Sequence, residues 1–315
     1  MDPTLAAWLA AVQSSDGEFV DRLWRQVLRR PVEPDVHDDA VARLRAGMSR
    51  AALLQELATS VEFERMRILD DAVAAGLAAQ RAGDRPRGLR APPGTDERPI
   101  EIPWCLARCG GEARLLDVGY AFAEPAYVMG LLSLGASVTG VDLVAAEIPG
   151  ITSVQADVRK LPFPRGSFEL AVAISTLEHV GRDNAQYGLA TEDDDGALRA
   201  ALRELRRVLG HRGRLLVTVP TGTPERRPEQ LVLAPAAWTA RFEDAGFVVY
   251  EDELYELTGD GWVATTTLSD DAGYGERGPG ASAVLCAELR PGGVSTRLRL
   301  ALRDFRHPDE PRRAT

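Results

Sequence analysis

The sequence predicts an α/β protein in which a doubly wound, seven-stranded sheet follows a small all-α domain. Three observations carry this. From Arg114 onward short apolar runs alternate with helix-period segments, the pattern of parallel strands covered on both faces. Up to about Gln80, apolar residues recur only at three- and four-residue spacing. Between these stretches, residues 83–99 (GDRPRGLRAPPGTDERP) mix proline, glycine and charge without apolar period, as a linker does. The expected division is therefore a helical domain over 1–82, a linker over 83–99 and the α/β domain over 100–315.

Length and composition agree with two domains, since 315 residues with 45% apolar content can bury a sizeable core. No run of 18 apolar residues occurs, and MDPTLAAWLAAVQ has no basic segment ahead of an apolar stretch, so a cytoplasmic protein is expected.

In the helical part, EFVDRLWRQVL places Phe19, Leu23, Val27 and Leu28 on one face. Pro31 and Pro34 separate it from DAVARLRAGM. Ser49 is a suitable N-cap, and Ser60 with Glu62 and Phe63 opens a further helix. The residues FVDRLWRQVLRRPVEPD, Val36 to Gly47 and SVEF resemble a small helical domain of unknown function, similar to phycobilisome linker repeats, found beside glycosyltransferase and methyltransferase domains. Arg22, Arg25, Arg29 and Arg30 form either a basic patch or a solvated helix face.

The formal charge of −10 disfavours a phosphate-backbone partner and favours a neutral or cationic one. Lys160 is the sole lysine, which excludes a phosphate loop ending in Gly-Lys-Ser/Thr. The three cysteines, Cys105, Cys109 and Cys286, form no disulfide framework and read as buried thiols. His37, His179, His211 and His307 are the only histidines.

The strands expected are RLLDV, SVTGVD, ITSVQ, ELAVAIS, RLLVTV, FVVYED and SAVLCAEL, the last two antiparallel. A doubly wound sheet binds its ligand at the C-terminal ends of the strands. The loop after the first strand reads Asp117-Val118-Gly119-Tyr120-Ala121-Phe122-Ala123. The second strand ends at Asp142, where a carboxylate can accept two ribose hydroxyls, and Asp157-Val158 follows the third, suited to an adenine edge. NAD and S-adenosylmethionine both suit this pattern. Glu124-Pro125 opens the first helix, however, and a carboxylate there repels a pyrophosphate more than it repels a sulfonium cofactor.

In order and spacing, LLDVG, VTGVDL, QADVRKLPFPRGSFELAVAISTLEHVG and LRELRRVLGHRGRLLVTVP resemble the motifs of class I S-adenosylmethionine-dependent methyltransferases. The resemblance implies a Rossmann-like sheet of strand order 3-2-1-4-5-7-6 and S-adenosylmethionine as cofactor. It implies that Asp117 and Gly119, with Tyr120 and Ala121 of their loop, face the methionine portion. Asp142 with Leu143 would face the ribose, Asp157 with Val158 the adenine, and Ser175 the transferable methyl. Ala121 and Ala123 depart from the family, which usually has glycine there, and imply a slightly wider loop path.

Methyl transfer is an in-line displacement that needs alignment of the acceptor and removal of one proton. His179 is expected as the base or as the residue that positions the loop; Glu178 either contacts the acceptor or caps the next turn. No second cluster supports a metal. The acidic insertion GRDNAQYGLATEDDDGALRAAL, with Tyr187, Asp193, Asp194 and Asp195, is either a solvated helix cap or an acceptor surface. The later Tyr255, Asp260 and Trp262 add a carboxylate and aromatic faces suited to a polycationic sugar. The Gly-rich LTGDGWVATTTLSDDAGYGERGPGASA is expected as a cover over that pocket or a plain surface loop.

Together with the acidic chain and the helical segment's association with carbohydrate enzymes, these features point to N-methylation of an amino sugar or aminoglycoside in antibiotic biosynthesis. O-methylation of a glycan or glycosylated lipid, a cofactor-binding scaffold without catalysis, and an NAD-dependent dehydrogenase are the alternatives.

Overall fold

The computed structural model describes residues 14–185, 194–275 and 280–293. By its contacts the chain divides into two units, Met1–Asp71 and Ala72–Thr315.

The described part of the first unit is helical: α1 (Asp16–Val27), α2 (Pro34–Arg45), α3 (Arg50–Ala58) and the first half of α4 (Val61–Ala82). Ser15 begins α1 with a capping box, its hydroxyl accepting from the Glu18 N–H while the Glu18 carboxylate accepts from the Ser15 N–H. Ser49 caps α3 by accepting from the Ala52 N–H at 3.1 Å. Phe19, Leu23, Val27 and Leu28 are buried with Val41, Leu44, Leu53 and Leu57 in one apolar cluster. Arg29 and Arg30 are ion-paired, with Asp70 and with Glu33 and Glu62 respectively. The unit boundary falls within α4, a helix of 22 residues.

The second unit is built on an eight-stranded sheet of order β3-β2-β1-β4-β5-β10-β8-β9. The strands are β1 (Arg114–Val118), β2 (Ser137–Asp142), β3 (Ile151–Gln155), β4 (Leu170–Ile174), β5 (Arg214–Pro220), β8 (Phe247–Thr258), β9 (Gly261–Thr265) and β10 (Ala283–Pro291). β6 (Glu225–Arg226) and β7 (Leu231–Val232) form a separate two-stranded pair. β1 to β5 pair in parallel, whereas β10 runs antiparallel to β5 and β8.

This corrects the expected seven strands and their order. The added edge strand β9 comes from the Gly-rich segment, where GDGWVAT folds back on β8 with Thr258 opposite Gly261. The segment 83–99 runs along that edge: Ala91 bridges Trp262, and the Leu89 N–H donates to the Tyr255 hydroxyl.

Alternation along the strands decides what each face meets. Leu116, Ala171, Ala173, Leu215 and Val217 pack against α7 (Ala197–Leu209) and α8 (Pro235–Asp244) through Leu198, Leu202, Leu205, Trp238 and Phe242. α5 (Arg98–Arg108) packs against β4, β5, β10 and α6 (Pro125–Leu132). All three cysteines are buried. Among the described residues, no helix is long and apolar enough to cross a membrane.

Candidate active site

One cleft collects residues from the loops after β1, β2, β3 and β4 and from α5, where an open α/β sheet places its ligand. Asp117, Gly119, Asp142, Leu143, Asp157, Val158, Ser175 and His179 line it, together with Arg98, Glu101, Phe122, Ala123, Glu124, Tyr127, Thr176 and Asn184.

The first loop needs one glycine. Gly119 has φ 84°, and a Cβ there would stand 2.6 Å from the Thr176 hydroxyl oxygen. Beyond it the chain makes a 3-10 turn over Tyr120–Phe122, and Ala123 is extended at φ −69° and ψ 150°. No residue from Tyr120 to Ala123 takes positive φ, so alanine at 121 and 123 carries no strain.

Tyr120 and Ala121 hold the loop rather than line the cleft. The Tyr120 ring lies where a Gly140 side chain would otherwise be, and its hydroxyl donates to the Ala146 carbonyl at 2.8 Å. The Ala121 N–H donates to Asp142 Oδ2 at 3.2 Å.

The cleft's carboxylates are held differently from one another. Asp142 accepts one backbone N–H on each oxygen, from Val144 and Ala121, which orients it and leaves lone pairs for two hydroxyls. Asp157 is clamped by Arg159, whose Nε donates to both oxygens at 3.0 and 2.9 Å. Burial alone would raise the Asp157 pKa, but these bonds bring it below the usual range. An adenine amino group approaching Asp157 therefore shares it with a guanidinium.

Asp117 is buried, accepts from the Tyr127 hydroxyl at 3.0 Å on Oδ1, and has no partner on Oδ2. Burial pushes it up to about 7; Tyr127 opposes this and the Asp142 charge adds to it.

These groups fit S-adenosylmethionine. Unpartnered Asp117 Oδ2 suits the methionine ammonium and Asp142 the ribose, while Leu143 and Val158 offer apolar surface. Arg98 suits the methionine carboxylate, because its side chain makes no hydrogen bond among the described residues. It stands 3.4 Å from Glu124 and 3.7 Å from Asp96 and Glu97.

After β4 the backbone turns sharply at Ser175, φ 42°. Its N–H donates to the Thr218 carbonyl at 3.1 Å, and its hydroxyl donates to Glu101 Oε1 at 2.8 Å. His179 Nδ1 lies 2.7 Å from the Glu229 carbonyl oxygen, which makes Nδ1 the protonated nitrogen. Burial lowers the His179 pKa against that hydrogen bond, so the ring is neutral at pH 7. Glu178 is buried and does not line the cleft.

The residues expected on the acceptor side are mostly elsewhere. Tyr255 is fully buried, its hydroxyl donating to Glu253 Oε2 at 2.8 Å. Trp262 is fully buried, its Nε1 donating to the Thr95 carbonyl at 3.3 Å. Both are taken up by segment 83–99 packing on β8 and β9, and Asp260 sits in the exposed turn between those strands. Asp195 pairs with Arg182 and Arg226, and Asp194 stands 3.9 Å from Arg159. Tyr187 and Asp193 lie outside the described residues.

Sequence reasoning missed Arg98, Glu101 and Tyr127. The signal for Glu101 was available: RPIEIPWCLAR contains one acid amid apolar positions of a buried helix.

The sequence model of a family described as methyltransferase domain matches residues 116–217. No curated protein sequence is a significant match. Among solved structures, the chain is similar to the Burkholderia thailandensis 1,6-didemethyltoxoflavin-N1-methyltransferase, crystallised with 1,6-didemethyltoxoflavin and S-adenosylhomocysteine. That match has 16% identity and TM-score 0.42 over 84% of this chain and 93% of the other. The glycopeptide N-methyltransferase MtfA, in complex with S-adenosylmethionine, matches at 16% identity and TM-score 0.40, covering 61% and 86% of the two chains. The cyclase SpnF matches at 17% identity and TM-score 0.43, covering 72% and 96%. With the family match spanning the loops that build the cleft, residues 116–217 are a methyltransferase domain, and the protein is an S-adenosylmethionine-dependent methyltransferase.

Proposed function

We propose that the protein methylates the nitrogen of a small polar acceptor that carries basic amines, with an amino sugar or aminoglycoside intermediate of antibiotic biosynthesis as the leading class. The observation that carries this reading is that a buried carboxylate, Glu101, held by the Ser175 hydroxyl, lines the same cleft as His179. An acidic chain of formal charge −10 supports a cationic acceptor as well.

S-adenosylmethionine supplies an activated methyl group. This chain's own residues have three tasks: to align the acceptor, to keep water out and to accept one proton. His179, held by its Nδ1–H donating to the Glu229 carbonyl, lines the cleft as a positioning residue for the acceptor. Glu101 lines the same cleft as a proton acceptor.

The reading is tested by incubating the protein with cofactor and a panel of amino sugars, glycans and phenols, followed by mass spectrometry. A one-methyl gain on amino sugars is expected; a gain confined to hydroxyl compounds sinks N-methylation. Calorimetry with S-adenosylhomocysteine checks the cofactor separately, and absence of binding would sink the whole assignment.

A further inference from the structure

Behind the acceptor end of the cleft stand three carboxylates that the cofactor does not use. Glu101 is 0% exposed, Glu178 2% and Glu97 7%, and each keeps an Oε2 with no hydrogen-bond partner. Buried charges are ordinarily paired, because an unpaired one loses its hydration without compensation. The guanidinium that acts on all three belongs to Arg98, whose closest approach to Glu97 is 3.7 Å. Burial raises the proton affinity of all three, so the group holds protons and ionises only when a cation arrives. Among the described residues, no three acids, histidines or cysteines are grouped as a metal ion requires.

Glu101 differs from its neighbours in two ways. It lines the cleft, and its Oε1 is fixed by the hydroxyl of Ser175, a residue held at a left-handed φ of 42°. A non-glycine residue in that region is strained and persists only where its surroundings enforce it. Here the strain comes with a hydroxyl directed at Glu101 and a backbone N–H bonded to Thr218. The structure thus fixes one Glu101 oxygen and leaves the other buried without a hydrogen-bond partner.

We propose that Glu101 is the anchor and proton acceptor for the acceptor's reacting amine, with the buried carboxyl groups of Glu97 and Glu178 as further groups that ionise only against a cation. This rests on the methyltransferase reading above and names the acceptor chemistry it leaves open, namely an ammonium with at least two N–H donors. The anchored ammonium cedes one proton to Glu101. Its nitrogen lone pair forms the N–C bond as the methyl's bond to sulfur breaks, the electron pair staying on sulfur, and Glu101 passes its proton to water after the product leaves.

The proton affinities match this role. Burial first, then the Glu97 charge, push Glu101 up to about 8, against the pull of Ser175, Arg98 and Thr218. A carboxylate of that basicity can take a proton from an alkylammonium at little cost. The titratable and charged groups acting with it are Glu97 and Arg98 at the start of its helix, Cys105 further along it, Glu178 after β4 and Cys286 on β10.

The test uses protein loaded with S-adenosylhomocysteine, with glucosamine as probe and glucose as its uncharged counterpart, measured by calorimetry. Wild type is expected to prefer glucosamine. Glu101→Gln should weaken glucosamine by about 30-fold or more, leave glucose unchanged and keep S-adenosylhomocysteine affinity; Glu101→Asp should restore part of the loss. Repeating the wild-type titration at pH 7 in buffers of different ionisation enthalpy gives a readout independent of any variant. Close to one proton should be released as the ammonium displaces it from the carboxyl group. Equal binding of glucosamine and glucose by wild type, undiminished glucosamine binding by Glu101→Gln, or no proton release would each overturn the proposal. Retained S-adenosylhomocysteine binding in those cases leaves the methyltransferase reading standing.

Discussion

The two halves of the cleft handle negative charge in opposite ways. On the cofactor side, Asp142 and Asp157 are each satisfied by near neighbours, through two backbone N–H groups and through Arg159 respectively. In the other half Glu101 lines the cleft, and Glu97 and Glu178 lie outside its lining; all three are buried with unpartnered oxygens. The first arrangement orients its carboxylates, and at Asp157 the Arg159 hydrogen bonds favour the ionised form. The second makes ionisation costly until a cation arrives, so that charge and ligand enter together. Asp117, buried, unpartnered on Oδ2 and pushed up to about 7, belongs by position to the first half and by physics to the second.

The largest effect that can break this contrast is on stability. Glu101 binds its proton more tightly in the native state than in the unfolded chain, so the native state holds more protons from about pH 4.5 up to about 8. Stability must therefore fall as pH rises across that window, by up to roughly 1.4 kcal/mol for each pH unit, and level off above it. Asp117 adds the same sign up to about 7. Glu101→Gln removes the first contribution, so its melting temperature should exceed that of wild type at pH 9 and approach it at pH 5. A variant less stable than wild type at pH 9 would show that the acceptor-side charge is already compensated.

The next effect concerns the loop on the cofactor side. Gly119→Ala places a Cβ at φ 84° and 2.6 Å from Thr176 Oγ1, which should destabilise by about 2 kcal/mol or more and weaken S-adenosylhomocysteine correspondingly. Ala121→Gly tests the opposite substitution. The residue already sits in an ordinary 3-10 turn, so adding glycine gains no room and should cost about 0.5–1 kcal/mol of chain entropy. Thermal denaturation and calorimetry on the pair decide whether this loop wants one glycine or three. Tighter cofactor binding by Ala121→Gly would mean that the alanines do restrict it.

His179 links the two halves, and its effect should be smaller than that of a base. With Nδ1–H donating to the Glu229 carbonyl and a neutral ring, it is placed to position the loop after β4. His179→Ala should lower kcat by about tenfold, the loss of roughly one hydrogen bond, with the acidic limb of the pH profile, where the proton acceptor loses its function by protonation, kept by Glu101. A loss of about 100-fold or more together with that limb would move the proton-accepting role to His179.

How far each half could be read beforehand follows from how it is built. The cofactor side is made of short contiguous stretches, so DVG, VD and ADV each carry a strand end, a turn and a carboxylate in neighbouring positions, and all three come together in the cleft. The acceptor side joins residues distant in the chain. Glu101 on α5 meets Ser175 after β4, 74 residues away, and no local spacing encodes that. Aromatic character misled for a related reason. Tyr255 and Trp262 are buried by a segment some 166 residues earlier that looked too polar to pack. The eighth strand was missed because glycine at 259 and 261 reads as a flexible cover, whereas Gly261 here makes a tight hairpin turn onto β8.

The smallest effect tests whether acidity alone, without burial, belongs to the acceptor site. Asp195 was a candidate for holding a cationic acceptor, but its carboxylate is exposed and accepts from Arg182 at 3.1 Å and from Arg226 at 2.9 Å. Those hydrogen bonds hold its pKa below the usual carboxylate range, so it remains charged but already neutralised by two guanidinium groups. A pair of this kind is screened by water and salt, and little of its field reaches a ligand. Asp195→Asn should therefore change the KM for an amine acceptor by no more than about twofold, equally at low and physiological salt. A rise of tenfold that vanishes in salt would mean that the exposed insertion steers the acceptor, and that selection for a cation begins before Glu101 is reached.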